Sequence, residues 1–237
     1  MVKDKAIETY TRGMVVVAHP DDAEFGCSGT VAKWIRQGIE FVYVLCTDGS
    51  KGTSDRTITP QELSEMRNNE QIAAGKLLGL NDVVFLNYPD GYLEPSLNLR
   101  RDISREIRRF KPDILITTNP TRSLTGSGYI GHPDHFAAGE AALSAVYPAA
   151  RDHLTFPELL GEGFETHKVR EVLIMGHGKP DKWVDVSSSI DIAIESLLAH
   201  KSQLGIEAAE RSKEWKKNAG KEHQMGYAEG FKSFELS

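Results

Sequence analysis

The stretch Met14-Val15-Val16-Val17-Ala18-His19-Pro20-Asp21-Asp22-Ala23-Glu24 decides how the rest of the chain is read. Its first half is a short, continuously apolar, β-branched run. Such runs suit strands buried on both faces, as in parallel sheets. Phe41–Thr47, Val83–Leu86 and Asp113–Thr118 repeat the pattern, and Val169–Met175 and Trp183–Val186 are two further candidates. Helical patterns lie between them. Thr30–Gln37 is followed by Gly38, a plausible stop. Thr59-Pro60-Gln61-Glu62 reads as a helix start, with Thr as cap, Pro in the first turn and Glu closing a capping box. That helix is expected to run to about Leu78 and to stop at Gly79. Leu97–Phe110 is ended by Lys111-Pro112, and Pro133–Val146 and Ser189–Leu204 complete the set. This alternation predicts an α/β, Rossmann-like fold: a doubly wound, mostly parallel sheet with helices on both faces, as one domain over residues 1–237. In open α/β sheets ligands bind beyond the carboxyl ends of the strands. Chemistry is therefore expected just after each apolar run.

Composition narrows the class. The chain has 237 residues, 40% hydrophobic and 26% charged, with a formal net charge of −6. This is the profile of a soluble globular protein whose core needs no disulfide or metal staple. An acidic balance argues against nucleic acid as partner and gives no attraction to anionic membranes. Two cysteines, Cys27 and Cys46, make no disulfide framework. The first residues carry no apolar leader core, and Met14–Ala18 is too short to span a bilayer. The expectation is a cytoplasmic protein without a stable membrane anchor.

Two motifs carry chemistry. Directly after the first strand, His19, Asp21, Asp22 and Glu24 crowd one imidazole and three carboxylates together. Like charges so close raise one another's pKa unless a cation intervenes. The spacing of His19 and Asp22 lets both reach one ion from a turn stiffened by Pro20, and Asp21 is left over as a general base. A helix cap at Asp21 or Asp22 is the competing reading. The small residues Gly26, Cys27, Ser28 and Gly29 follow, hinting weakly at a nucleotide loop. Far along the chain, Gly131-His132-Pro133-Asp134-His135 follows the fourth strand. One of its histidines completes a two-His, one-carboxylate set with an open position, the layout of a catalytic zinc. The other is free for proton transfer or an oxyanion, and Asp134 suits a tautomer-fixing acid. A plain helix start is again the competing reading.

Together, His19-Pro20-Asp21-Asp22 and His132-Pro133-Asp134-His135 resemble the zinc-dependent N-deacetylases of the LmbE-like, or PIG-L, family. The likeness extends to Thr47-Asp48-Gly49, the helix around Glu65, Arg67 and Glu70, Pro89-Asp90-Gly91 and His200-Lys201-Ser202-Gln203. Ala23 displaces the family's usual acid to Glu24, a variant that looks like the bacillithiol-type and chitobiose-type branches. The resemblance implies zinc on His19, Asp22 and His135, with Fe²⁺, Co²⁺ or Mn²⁺ as alternatives on the same donors. It implies Asp21 as general base and His132 at the oxyanion or leaving amine, with Glu24 and Asp134 behind them. Arg67 and Asp90 match positions that hold sugar hydroxyls in some members. Tyr129 stands one residue from the family's oxyanion tyrosine, whose place Ile130 takes. The implied substrate is an acetylated amino sugar, and small relatives are homo-oligomers, often hexamers. Competing readings are an amidase for a larger thiol-sugar conjugate and a non-catalytic ligand-binding module.

Other residues are weighed against plainer roles. Tyr88, Tyr92 and Tyr129 are candidates for sugar stacking. Arg100, Arg101, Arg105, Arg108 and Arg109 alternate with Asp102 and Glu106 and read as a solvated, ion-paired face. Cys27 reads as a small buried residue rather than a nucleophile, and His177 is a further site candidate. Lys213–Glu222 reads as exposed. Lys51–Thr57, Tyr88–Leu97 and Ala150–His167 are the expected specificity loops.

Overall fold

A computed structural model describes residues 9–124 and 130–236. Tyr129, with its expected oxyanion role, lies outside the described residues. The strands are β1 (Arg12–Val17), β2 (Glu40–Thr47), β3 (Asp82–Tyr88), β4 (Ile114–Thr118), β5 (Glu171–Met175), β6 (Lys182–Asp185) and β7 (Ala228–Glu235). They form one sheet in the order β3-β2-β1-β4-β5-β7-β6. β3, β2, β1, β4 and β5 run parallel, and β7 pairs antiparallel with both β5 and β6. β1 sits at the topological switch point, flanked by β2 and β4, where the crevice for a ligand opens. One apolar cluster covers each face. Met14, Val16 and Leu115 point to one, and Val15, Val17 and Ile116 to the other. The central strands are therefore buried on both sides.

The helices are α1 (Asp22–Gly26), α2 (Ser28–Arg36), α3 (Pro60–Leu78), α4 (Leu97–Phe110), α5 (Pro133–Ser144), α6 (Glu158–Gly161), α7 (Ile190–Leu197) and α8 (Ile206–Glu222). The α3 start is the expected capping box: Thr59 accepts from the Glu62 backbone and Glu62 bonds back. Gly79 ends it in the left-handed conformation at φ 85°. α5 passes into one π turn at Ala145–Ala149 instead of continuing to Val146 as regular helix.

Four expectations change. β7 is an additional strand, which sequence reading passes over because Ala228–Glu235 carries charge and glycine without a clean period of two. The arginine run is not uniformly solvated. Arg108 is 1% exposed and donates to the carbonyls of Ala149, Ala150, Asp152 and Thr155. That anchoring places Ala150–His167 beside the last turn of α4, and His167 bonds the Pro112 carbonyl just before β4. The segment thus lies at the amino ends of the parallel strands, away from the chemistry expected at their carboxyl ends. Lastly, Lys213–Glu222 is not wholly exposed, since Lys216 is buried.

Candidate active site

The turn after β1 is built under strain. Asp21 adopts φ 89°, a left-handed conformation that Asp tolerates better than most residues. Its backbone N–H donates to Gln71 Oε1 at 3.2 Å, and Gln71 Nε2 donates to Glu24 Oε1 at 3.0 Å. Glu24, Gln71 and His200 are each fully buried. His200 Nε2 lies 3.3 Å from Glu24 Oε2. Three distant parts of the chain, α1, α3 and the turn after α7, thereby lock the backbone that presents Asp21. Arg67, from α3, donates to the carbonyls of Pro20, Gly49 and Lys51 and lies 3.6 Å from Asp21 Oδ2. Gln71 is a site residue that sequence reading misses. A glutamine on a helix carries no motif, and only the fold brings it to Asp21.

The second motif is delivered by α5. Gly131 takes φ 85°, His132 caps the helix and Pro133 occupies its first turn. Thr118 Oγ1, at the end of β4, donates to the His135 carbonyl at 2.6 Å. Gly139 lets α5 sit against the same strand end: an added Cβ would lie 2.3 Å from the Thr118 carbonyl oxygen. These contacts bring three imidazoles together, with ring centroids 4.7 Å (His19–His132), 5.2 Å (His19–His135) and 5.4 Å (His132–His135) apart.

Carboxylates fill the space around them. Asp22 Oδ2 lies 3.6 Å from His19 Nδ1, and Asp22 Oδ1 lies 3.0 Å from His135 Nε2. On the far edge of His19, Nε2 lies 3.1 Å from Asp90 and 3.2 Å from Asp134. Asp134 is fully buried and also accepts from the backbone N–H groups of Gly91 and Leu93. A carboxylate on Nε2 fixes the His19 tautomer so that Nδ1 faces Asp22, the arrangement that orients metal-binding histidines. Ligand atoms of His19, His132 and His135 fall within 4.8 Å of one another, as do those of His19, Asp90, His132 and Asp134. Neither grouping contains Asp22, which instead bridges His19 and His135. The second grouping spends His19 Nε2 and the already satisfied Asp134, so the side facing Asp22 and His135 has the better donors for an ion.

The electrostatics fit a cation. Burial opposes charge on His19, yet hydrogen bonds to Asp134, Asp22 and Asp90 outweigh it and push its pKa up to about 12. Burial and the neighbouring Asp22 carboxylate raise Asp21 to about 7, against the pull of Arg67. Burial also works against Asp22, but His135 and His19 hold it far below the usual carboxylate range. His132 is lowered by burial and by His19. It accepts the Asp134 backbone N–H at Nδ1, 3.2 Å away, so the neutral ring carries its proton on Nε2. Imidazole nitrogens and carboxylate oxygens packed this closely form a donor set for a divalent metal.

The family model described as PIG-L, GlcNAc-PI de-N-acetylase, matches residues 14–146. The chain belongs to the PIG-L family. It is a deacetylase, and PIG-L deacetylases are metal-dependent. Diacetylchitobiose deacetylase of Thermococcus kodakarensis is 31% identical over 190 residues, covering 80% of this chain and 69% of the relative. A probable N-acetyl-alpha-D-glucosaminyl L-malate deacetylase 2 of Bacillus anthracis is 27% identical, covering 85% of each. The solved structure of N,N'-diacetylchitobiose deacetylase from Pyrococcus horikoshii superposes with a TM-score of 0.89 at 25% identity, over 98% of this chain and 86% of that one.

Other expected residues fall outside this PIG-L centre. Tyr88 donates to Asp102 at 2.7 Å and is structural. His177 bonds the backbone of its own turn at Lys179. Cys27 is fully buried, and burial followed by the charges of Glu229 and Glu24 raises its thiol well above the ordinary range, so it is no nucleophile. Asp90 and Arg67 do come together, 3.7 Å apart, beside His19. The weak nucleotide-loop reading also fails on geometry. Glu229 occupies the amino terminus of α2, accepting from Gly29 and Thr30, and Lys216 neutralises it at 2.6 Å. The place a phosphate would take is filled by the chain's own carboxylate. Among the described residues, no helix is long and apolar enough to cross a membrane.

Proposed function

We propose that this PIG-L protein removes the acetyl group from an N-acetylglucosamine-type sugar or conjugate, with zinc held by His19, Asp22 and His135. The observation that carries the ligand assignment is Asp22, whose two oxygens face His19 Nδ1 and His135 Nε2 at 3.6 and 3.0 Å. When bound, the metal supplies Lewis acidity to water and to the amide carbonyl. Hydrolysis forms a C–O bond, breaks the C–N bond and leaves acetate and a free amine. Asp21, fixed by Gln71 and Arg67, accepts the proton of the attacking water and passes it to the departing nitrogen. His132 directs its Nε2–H at the carbonyl oxygen as negative charge develops there. Glu24 and Asp134 hold the two motifs in place. Tyr92, 73% exposed beside Lys51, with Asp90 and Arg67, forms the sugar side after β2 and β3. Exposed Met66 and Leu77 on α3, beside Leu198, support a homo-oligomer. Two buried free cysteines suit a cytoplasmic setting.

The test is primary-amine release from N-acetylglucosamine, diacetylchitobiose, N-acetylglucosaminyl malate, N-acetylglucosaminyl inositol and N-acetyl amino acids, using zinc-loaded and chelator-stripped protein. Zinc-dependent release from a sugar is the expected result. Release from amino acids alone moves the protein to another amidase class, and release that survives stripping removes the metal from the mechanism.

A further inference from the structure

A cavity of about 860 Å³ opens beside the metal-binding residues, with Asp22 and His135 on its wall. It lies toward β4, β5 and β7, opposite to Asp90, Arg67 and Tyr92, which follow β2 and β3. Its walls are dominated by Phe25, Ile130, Phe136, Met175 and Trp215. Ile130 and Trp215 are 66% and 64% exposed, large apolar side chains at the mouth of the same space. The charges deeper in the wall, Lys216 and Glu229, are spent on each other and on the backbone. A ligand group seated here meets apolar surface on most sides, and the volume is that of a site for a drug-sized molecule rather than one methyl group.

An amide has two ends. If the reacting carbonyl sits over His19, Asp22 and His135 and the sugar extends toward Asp90, the group on the other side of the carbonyl extends into the apolar cavity. Resting on the deacetylase reading above, we propose that this cavity holds the acyl half of the substrate, so that the protein, besides removing acetyl, also cleaves amino sugars with longer N-acyl chains and gains kcat/KM from the added methylenes. Hydrolysis is unchanged in its bonds: the C–N bond breaks, the C–O bond forms, and a longer carboxylic acid leaves in place of acetate.

The experiment measures kcat/KM by amine release from N-acetyl-, N-butyryl- and N-hexanoyl-glucosamine and from the octyl glycoside of N-acetylglucosamine, with zinc-supplemented full-length protein. Each buried methylene raises kcat/KM by about two- to fourfold, so hexanoyl exceeds acetyl by at least about tenfold. Ala219→Phe, which fills the cavity from α8, and Trp215→Ala, which removes its rim, both lower the hexanoyl-to-acetyl ratio. Thermal melting of each variant controls for folding. A kcat/KM that falls from acetyl to hexanoyl overturns the proposal, as does an unchanged ratio in folded Ala219→Phe. An equal gain for the octyl glycoside gives the cavity to the aglycone and overturns the acyl assignment. The cavity is also separated from the chemistry by titrating hexanoate and acetate against tryptophan fluorescence, with Trp215→Ala as the blank. Saturable quenching by hexanoate alone supports the acyl site even if no substrate turns over, whereas equal or absent responses remove it.

Discussion

Replacing Gln71 by leucine tests whether the left-handed turn at Asp21 is held from α3. The change keeps side-chain volume and removes two hydrogen bonds, one from the Asp21 backbone at 3.2 Å and one to the Glu24 carboxyl at 3.0 Å. A neutral bond is worth about 0.5–1.5 kcal/mol and one to a charged group about 1.5–3, so the loss is about 3 kcal/mol. In a chain this long, Tm falls by about 6–12 °C. Asp21 is then free to leave φ 89°, and a displacement of about 1 Å at a reacting group costs on the order of 10² in kcat. Metal content stays at the wild-type level, because neither lost bond touches His19, Asp22 or His135. The assay combines a melting curve, metal analysis and kcat for amine release well below the new Tm. Gln71→Glu separates the two bonds: it keeps an acceptor for Asp21 and sets a carboxyl against Glu24, so kcat recovers more than stability. A Leu variant that melts within about 2 °C of wild type and turns over at a similar rate would refute the clamp.

His132→Ala is expected to keep metal and lose about 10²–10³ in kcat, the usual cost of one oxyanion donor, whereas His135→Ala loses metal and activity together. Metal analysis beside turnover checks both, and full occupancy in His135→Ala would break the ligand assignment. Lys216→Met strands the buried Glu229 carboxylate and destabilises by about 3–5 kcal/mol in urea unfolding, with partial recovery in the Lys216→Met, Glu229→Gln double variant. A single variant as stable as wild type would show that the pair contributes nothing. Asp113 titrates below its ordinary value: burial opposes this, but hydrogen bonds from the Thr11 backbone, the Arg12 backbone and the Thr11 hydroxyl prevail. Its contribution is therefore complete above the ordinary carboxylate pKa and is lost as pH falls through and below that range. The stability gap between wild type and Asp113→Ala narrows from pH 7 to pH 3, and a gap of constant size would contradict the assignment.

What was legible in the sequence was whatever local rules write down. Four of the parallel strands, β1, β2, β4 and β5, announce themselves because burial on both faces demands continuous apolar runs, and α3 because a capping box and a glycine stop are local hydrogen-bond devices. His19, Asp21, Asp22, His132 and His135 were visible because chemistry packs unusual charge into short turns. Residues whose roles exist only across the fold stayed hidden. Gln71 and Glu229 look like ordinary polar residues until α3 and β7 carry them to backbone N–H groups at the starts of α1 and α2. Arg108 reads as one more surface cation because its carbonyl partners lie about forty residues away. The two halves of the site were thus unequally readable. The metal-binding side is encoded in two motifs, while the cavity beside it is assembled from single apolar residues on α1, α5, β5 and α8 that no pattern links. Reaction class follows from the first half. The proposed choice of acyl group rests on the second.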